Sequence, residues 1–325
     1  MSKRLLVTVL LACTSFGVGA ASGKADSYPN KPIRWIVGFP AGGSDDFMAR
    51  TIGSKITERF GQTVIVDNRP GAAGNLAAAI AARANPDGYT LLIVGSITSA
   101  SSHILYRNLG YDLLKDFSHV SVVAMGANVL LAHPSVPAKS VSEFVALARS
   151  KPKAIRYASS GVASVGHLSM ELLQSRTGMQ LIHVPYKGGP AGITALAGGE
   201  VEVGFGSVSA AIPLVKAKRL NAVAVTSVKR SSGLPEVPTV AESGFPGFNV
   251  ANTFGVLAPA GTPAAAVKLL NAEIRRIVQM DDIKAKFAGQ GLEAAGSTPD
   301  EFKAIIEAEV AQWGRIIKDA RITAN

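Results

Sequence analysis

Short apolar or β-branched runs, each closed by a Gly/Ser/Pro loop and followed by an amphipathic stretch, recur along this chain. "IRWIV" (33–37) passes through "GFPAGGS" into a stretch from Asp45 to Phe60. There Met48, Ile52, Ile56 and Phe60 fall on one stripe, the spacing of a helix laid on a sheet. "VIV" (64–66) leads through "DNRPGAAGN" to an Ala-rich helix that stops before the turn "NPDGY", and "TLLIV" (90–94) runs into the loop "GSITSASS".

A second series begins near residue 128 with "NVLLA" and "HPSVPAKS". Ser140 and Glu143 form a capping box for a helix over Val141–Arg149. "IRYA" then leads through "SSGVAS" to a helix around Val165–Arg176, and "LIHV" through "PYKGGP" to Ala191–Ala197. "VEVGF" leads through "GSVS" to a helix near Ala210–Ala217, and "NAVAVTS" is a further strand. Two apolar runs, His119–Met125 and Asn249–Ala258, lie between the series. After the second run only helices are predicted, among them Asn271–Met280 and a last helix opened by Thr298, Pro299 and Glu301.

Strand–helix alternation of this kind builds parallel sheets with right-handed crossovers. Two series joined by two runs predict two α/β domains: residues 26–125 with 250–325, and residues 126–249. The two connecting strands form a hinge suited to closing on a ligand. In open α/β sheets ligands bind beyond the carboxyl ends of the strands. Those ends here are loops of Gly, Ser, Ala and Pro, and backbone N–H groups at helix starts attract anions. "PAGGS" and "SSGVAS", facing one another, are the leading pair.

Composition narrows this picture. Of 325 residues, 47% are apolar and 17% charged, which excludes a disordered chain. Lys3 and Arg4 precede the apolar stretch "LLVTVLLACTSFGVGA", with Val18/Ala20 and Gly23/Ala25 as two cleavage sites, so residues 1–25 read as an export signal. The mature protein is then periplasmic. Cys13, the one cysteine, lies in that signal; "LLAC" also fits a lipoprotein box. Losing residues 1–25 removes Lys3, Arg4 and Lys24 and no acid, so the formal charge of +10 becomes +7. The basic residues are scattered, with no aromatic-interleaved stripe that would point to nucleic acid.

The candidate chemistry is mostly negative. "GFPAGGSDD" is no Walker loop, "GFGSVS" lacks the third glycine of a dinucleotide fingerprint, and no G-x-S-x-G elbow is present. His103, His119, His133, His167 and His183 show no metal-ligand spacing. Ser160 and Ser164 beside His167 have no evident acid partner or oxyanion arrangement, so no enzyme, metal or cofactor is predicted. Asp45 and Asp46 oppose a phosphate but tolerate a carboxylate held by backbone donors at Ala41–Ser44, and they cap and orient their helix.

The segments "PIRWIVGFPAGGSDDFMAR", "VDNRPGAAGN", "NPDGYTLL", "YASSGVASVGHLSMELL", "HVPYKGG", "LPEVPTVAESGFPGF" and "FGVLAPAGTP" occur in an order that resembles the Bug-type receptors of tripartite tricarboxylate transporters. The resemblance runs from about Tyr28 to the last helix. It implies a two-domain periplasmic-binding-protein fold of type II-like form, with two crossover strands as hinge. It also implies capture of a mono-, di- or tricarboxylate by a monomer that serves a membrane permease. A ligand-sensing module for a signalling protein is the alternative.

The residues assigned to the ligand are Phe39, Ala41, Gly42, Gly43, Ser44 and Asp46 after the first strand, and Ser96 after the third. The second series adds Ser160, Gly161, Ser164 and His167, then Tyr186 and Lys187, then Gly206 and Ser207; Thr253 completes the set. Three positions depart from the family pattern: Ala163 replaces a glycine, Gly206 an aspartate and Thr253 a tryptophan. The last two predict a wider pocket, less suited to amine-bearing ligands.

Overall fold

The computed structural model describes residues 28–323, so the export signal and Cys13 lie outside the described residues. "IRWIV" forms β1 (Ile33–Val37), and the striped stretch forms α1 (Ser44–Phe60). β2 (Val64–Asn68), α2 (Asn75–Ala82), β3 (Thr90–Gly95) and α3 (Ser96–Leu105) follow. The predicted loop "GSITSASS" is thus mostly helix. Its Ile97 and Ala100 are buried, and the Ser101 hydroxyl folds back on the Ile97 carbonyl at 2.8 Å.

The next two apolar runs are one element: β4 (Phe117–Ala132) extends unbroken for 16 residues. Gly126 lets Leu292 pack close against this strand: a Cβ there would meet Leu292 Cδ2 at 2.7 Å. Beyond it come α4 (Val141–Ser150), β5 (Arg156–Ser159), α5 (Val165–Thr177) and β6 (Ile182–Pro185). α6 (Gly189–Ala197), β7 (Val203–Ser207), α7 (Val208–Lys216) and β8 (Asn221–Val225) complete the second series. β9 (Ala251–Pro259) returns, followed by α8 (Ala264–Val278), α9 (Asp281–Ala288), β10 (Leu292–Ala294) and α10 (Pro299–Asp319). The helices-only expectation missed β10, three residues paired with β4. α10 carries the predicted capping box at Thr298 and Glu301.

The strand order is β2-β1-β3-β9-β4-β7-β5-β6, with β8 and β10 also on β4. β1, β2 and β3 are parallel, as are β5, β6 and β7. Antiparallel β9 and β4 join the two sets. The first part of β4 pairs with β9 and its last residues with β7 and β8, so one strand serves both halves of the sheet. Buried Thr226 ties the crossing strands. Its hydroxyl donates to the Val250 carbonyl at 2.6 Å and accepts the Asn128 N–H at 3.0 Å.

Helices cover both faces of each half. Trp35, Met48 and Ile52 centre one apolar cluster, and Phe144, Tyr157 and Leu168 another. Among the described residues no helix is long and apolar enough to cross a membrane.

Candidate functional site

The carboxyl ends of both parallel sets converge on one cavity of about 120 Å³. From the first half come Phe39, Gly43, Ser44 and Asp45 of the β1–α1 connection, Gly95 and Thr98 around the start of α3, and Asn252 and Phe254 of β9. From the second half come Ser159, Ser160 and Val165, the start of α6, and Gly206, Ser207 and Ala210. β4 supplies Asn128 and Leu131 between them. The first turns of α1, α3, α5, α6 and α7 therefore all meet this space. Each brings the positive end of a helix dipole, while side-chain oxygens already accept the Ile97, His167 and Ala210 N–H groups of α3, α5 and α7. Among the described residues no Lys, Arg or His lines it.

The β1–α1 connection is braced from within. Gly42 has φ +84°, the left-handed region that glycine enters freely. Its N–H donates to Asp46 Oδ2 at 3.0 Å, and Arg50 Nε donates to the same carboxylate at 3.0 Å. Burial alone would raise the Asp46 carboxyl; the Arg50 and Gly42 hydrogen bonds outweigh it and hold the group below its usual range. Asn68 Nδ2 anchors the Phe39 carbonyl at 3.0 Å.

The predicted array of donors over Ala41–Ser44 is accordingly only partly free. The Gly42 N–H is spent on Asp46, and the Gly43 N–H turns back to the Pro40 carbonyl at 3.4 Å. Gly43 and Ser44 line the cavity, whereas Ala41, Gly42 and Asp46 do not. Asp46 holds the loop more than it caps α1, whose N-cap is Gly43.

On the opposite wall Ser160 lines the cavity, while Gly161, Ser164 and His167 stand behind it. Ser164 caps α5 by accepting the His167 N–H at 3.4 Å. His167 Nδ1 accepts the Ala163 N–H at 3.2 Å, which places its proton on Nε2. The ring stacks on His183 with centroids 4.2 Å apart, and His183 stacks on Tyr157 at 4.7 Å. His183 Nε2 also lies 2.7 Å from the Ser159 hydroxyl. Burial pushes His167 down to about 4; burial, and then the neighbouring His167, push His183 down to about 3. Both rings are neutral props of the loop. Ala163 completes it with φ +66°, the conformation for which a glycine would be the easier residue.

Gly206 and Ser207 line the cavity, and a Cβ at Gly206 would meet Ile193 Cδ1 at 2.8 Å, so Ile193 lies against this glycine. Thr253 is buried on the other face of β9, where its N–H reaches Ser96 Oγ at 3.3 Å. Strand alternation brings Asn252 and Phe254 inward instead. Ser96 is likewise turned away, and Gly95 before it lines the space. Tyr186 reaches Glu200 at 3.5 Å and Lys187 is exposed, both outside the lining.

Sequence reasoning missed Asn128, Asn252, Thr98 and the orientation of Asp45. Asn252 Oδ1 accepts the Ile97 N–H at 3.2 Å. A polar amide inside an apolar strand run was the available signal for both asparagines. Asp45 is 8% exposed and lines the cavity, and burial pushes it up to about 7.

Residues 48–322 match the model of the tripartite tricarboxylate transporter family receptor. BugT of Bordetella pertussis is 34% identical over 97% of each chain. Among solved structures, R. palustris Rpa4515 with adipate superposes with a TM-score of 0.88 at 36% identity, covering 91% of this chain and 99% of that one. MatC from Rhodopseudomonas palustris with bound malate gives 0.83 at 29% identity, covering 89% and 100%.

Proposed function

Since this chain belongs to the tripartite tricarboxylate transporter family of receptors, a family of solute-binding proteins rather than enzymes, we propose that it captures a small organic carboxylate between its two sheet halves. The observation that carries this reading is the convergence of five helix N-termini on a cavity that no cation lines among the described residues. An anion is favoured there by backbone N–H groups and dipoles, while a compact carboxylate suits neutral donors better than a multiply charged phosphate does. Ser44, Ser160, Asn128 and Asn252 add hydroxyl and amide donors. Leu131, Ile193, Leu196 and Phe254 offer an apolar bed for a carbon chain.

The protein works in the periplasm and passes its ligand to a membrane permease. Among the described residues, 28–125 with 250–323 form one closing unit and 126–249 the other, with β4 and β9 as hinge. Adipate and malate, bound by two similar proteins, are the first ligands to try.

The protein is first unfolded and refolded to strip any co-purified molecule. Thermal unfolding is then followed with a panel of mono-, di- and tricarboxylates that includes both acids. A ligand at a hundred times its Kd adds about 2.7 kcal/mol of stability, several degrees in Tm. A folded protein that shifts with no acid of the panel refutes the reading.

A further inference from the structure

Asp45 is the one ionisable side chain lining the cavity among the described residues. It is buried, and its own backbone N–H is the one donor described for its carboxyl. Arg50, a cation on the same helix, is committed to Asp46. The walls formed by α3, β4, β5, α5, α6, β7, α7 and β9 place no titratable side chain in the lining. His167 and His183 sit behind the Ser159–Ser164 loop as neutral rings. Asp46 is the one neighbouring charge that acts on the group, and it disfavours ionisation.

A carboxylate entering this space meets a second carboxyl with no cation to compensate. Two such groups close together out of water do not both ionise; the pair keeps a proton. A protonated carboxyl is a donor, and an O–H···O⁻ bond to the ligand is short and strong. Resting on the carboxylate reading above, we propose that Asp45 is the proton-carrying group of the site: it enters the complex as a neutral acid, donates its O–H to a ligand carboxylate, and makes capture proton-linked. The balance is one proton held or taken up per ligand, and no covalent bond changes. Burial, which lifts Asp45 to about 7, favours the required form near neutral pH. Ligand would then be held tightly in mildly acidic surroundings and released more readily as pH rises.

The test is isothermal titration calorimetry of refolded, ligand-free protein with adipate, from about pH 6 to about pH 9, in buffers of different ionisation enthalpy. Affinity is expected to be level up to about pH 7 and to fall about tenfold per unit above it, with uptake approaching one proton per adipate. Asp45→Asn, checked for folding by its thermal transition, is expected to lose both the slope and the proton uptake. A level profile without uptake in the unaltered protein, or the same slope in Asp45→Asn, overturns the proposal while leaving carboxylate capture standing. L-Glutamate is run in parallel. Glutamate binding tighter than adipate at about pH 8.5 and lost in Asp45→Asn overturns it in favour of an ion pair with a ligand ammonium. If a folded protein binds neither adipate, malate nor glutamate at any pH, the carboxylate reading falls, and the proton link with it.

Discussion

The Ser44 hydroxyl lies 3.0 Å from the Ser209 hydroxyl, so the first residue of α1 touches the first turn of α7 across the cleft. Ser209 is held in turn by Ser207 at 3.1 Å. The two halves meet again where Pro40 packs on Gly188, at which a Cβ would come within 2.9 Å of Pro40 Cδ. Under the proposed closing motion these contacts hold the cleft shut. Ser209→Ala removes the hydroxyl contact across the cleft, worth about 1 kcal/mol, together with the contact to Ser207 within the same half, and is expected to speed ligand release about fivefold. Stopped-flow dissociation reads the rate; an unchanged value would mean that the serine pair does not hold the closed form.

Gly43 offers a test of the cavity wall. Its φ is −81° and a Cβ there meets nothing nearer than the Pro40 carbonyl oxygen at 3.5 Å, so Gly43→Val is expected to fold with a loss below about 1 kcal/mol. The added isopropyl group lies on the lining, and ligand binding is expected to fall at least about a hundredfold by calorimetry. Retained affinity would place the ligand elsewhere.

The histidine stack sets an acid limit on stability. His167 and His183 titrate far below the ordinary histidine range in the folded protein, so the unfolded chain binds the extra protons. Their contribution is complete above about pH 6.5 and is lost as pH falls toward about 4, by a few kcal/mol in all. Urea unfolding at about pH 7 and about pH 4.5 measures it. His183→Gln is expected to flatten the loss; an equal loss in that variant would assign the acid limit to other groups.

Thr226 permits a nearly isosteric test of the hinge. Thr226→Val strands the Asn128 N–H and removes a donor from the Val250 carbonyl. A cost of about 2–3 kcal/mol is expected in chemical denaturation. A loss below about 0.5 kcal/mol would show that water or a backbone shift replaces the hydroxyl.

The alternation of strands and helices was legible because parallel strands buried on both faces read as plain apolar runs, and the loops after them carry Gly and Ser. That grammar located Phe39, Gly43, Ser44, Ser160, Gly206 and Ser207 on the cavity. It failed where one residue's direction mattered. On β9 a step of one exchanges faces, so Asn252 and Phe254, not Thr253, line the cavity; at the end of β3 it is Gly95, not Ser96. Asp45 and Asp46 are adjacent on a helix, about 100° apart around its axis, and nothing in their order says which turns inward. Asn128 was hidden differently. Gly126 and Ala127 break the apolar pattern of β4, so the sequence divides this strand in two and places Asn128 at the start of the second part.

α10 reaches both cores. Phe302 and Ile306 belong to the cluster built on β1, β3 and β9, where a side chain at Gly255 would strike the Phe302 ring. Two turns later Trp313 and Ile317 belong to the cluster of Phe144 and Tyr157. A continuous helix seated at both ends is a stiff rod across the pivot. If the halves open as proposed, the motion must flex this helix or draw one of its aromatic anchors from its socket, so the elastic resistance of the jaw resides in the last 20 or so residues of the fold.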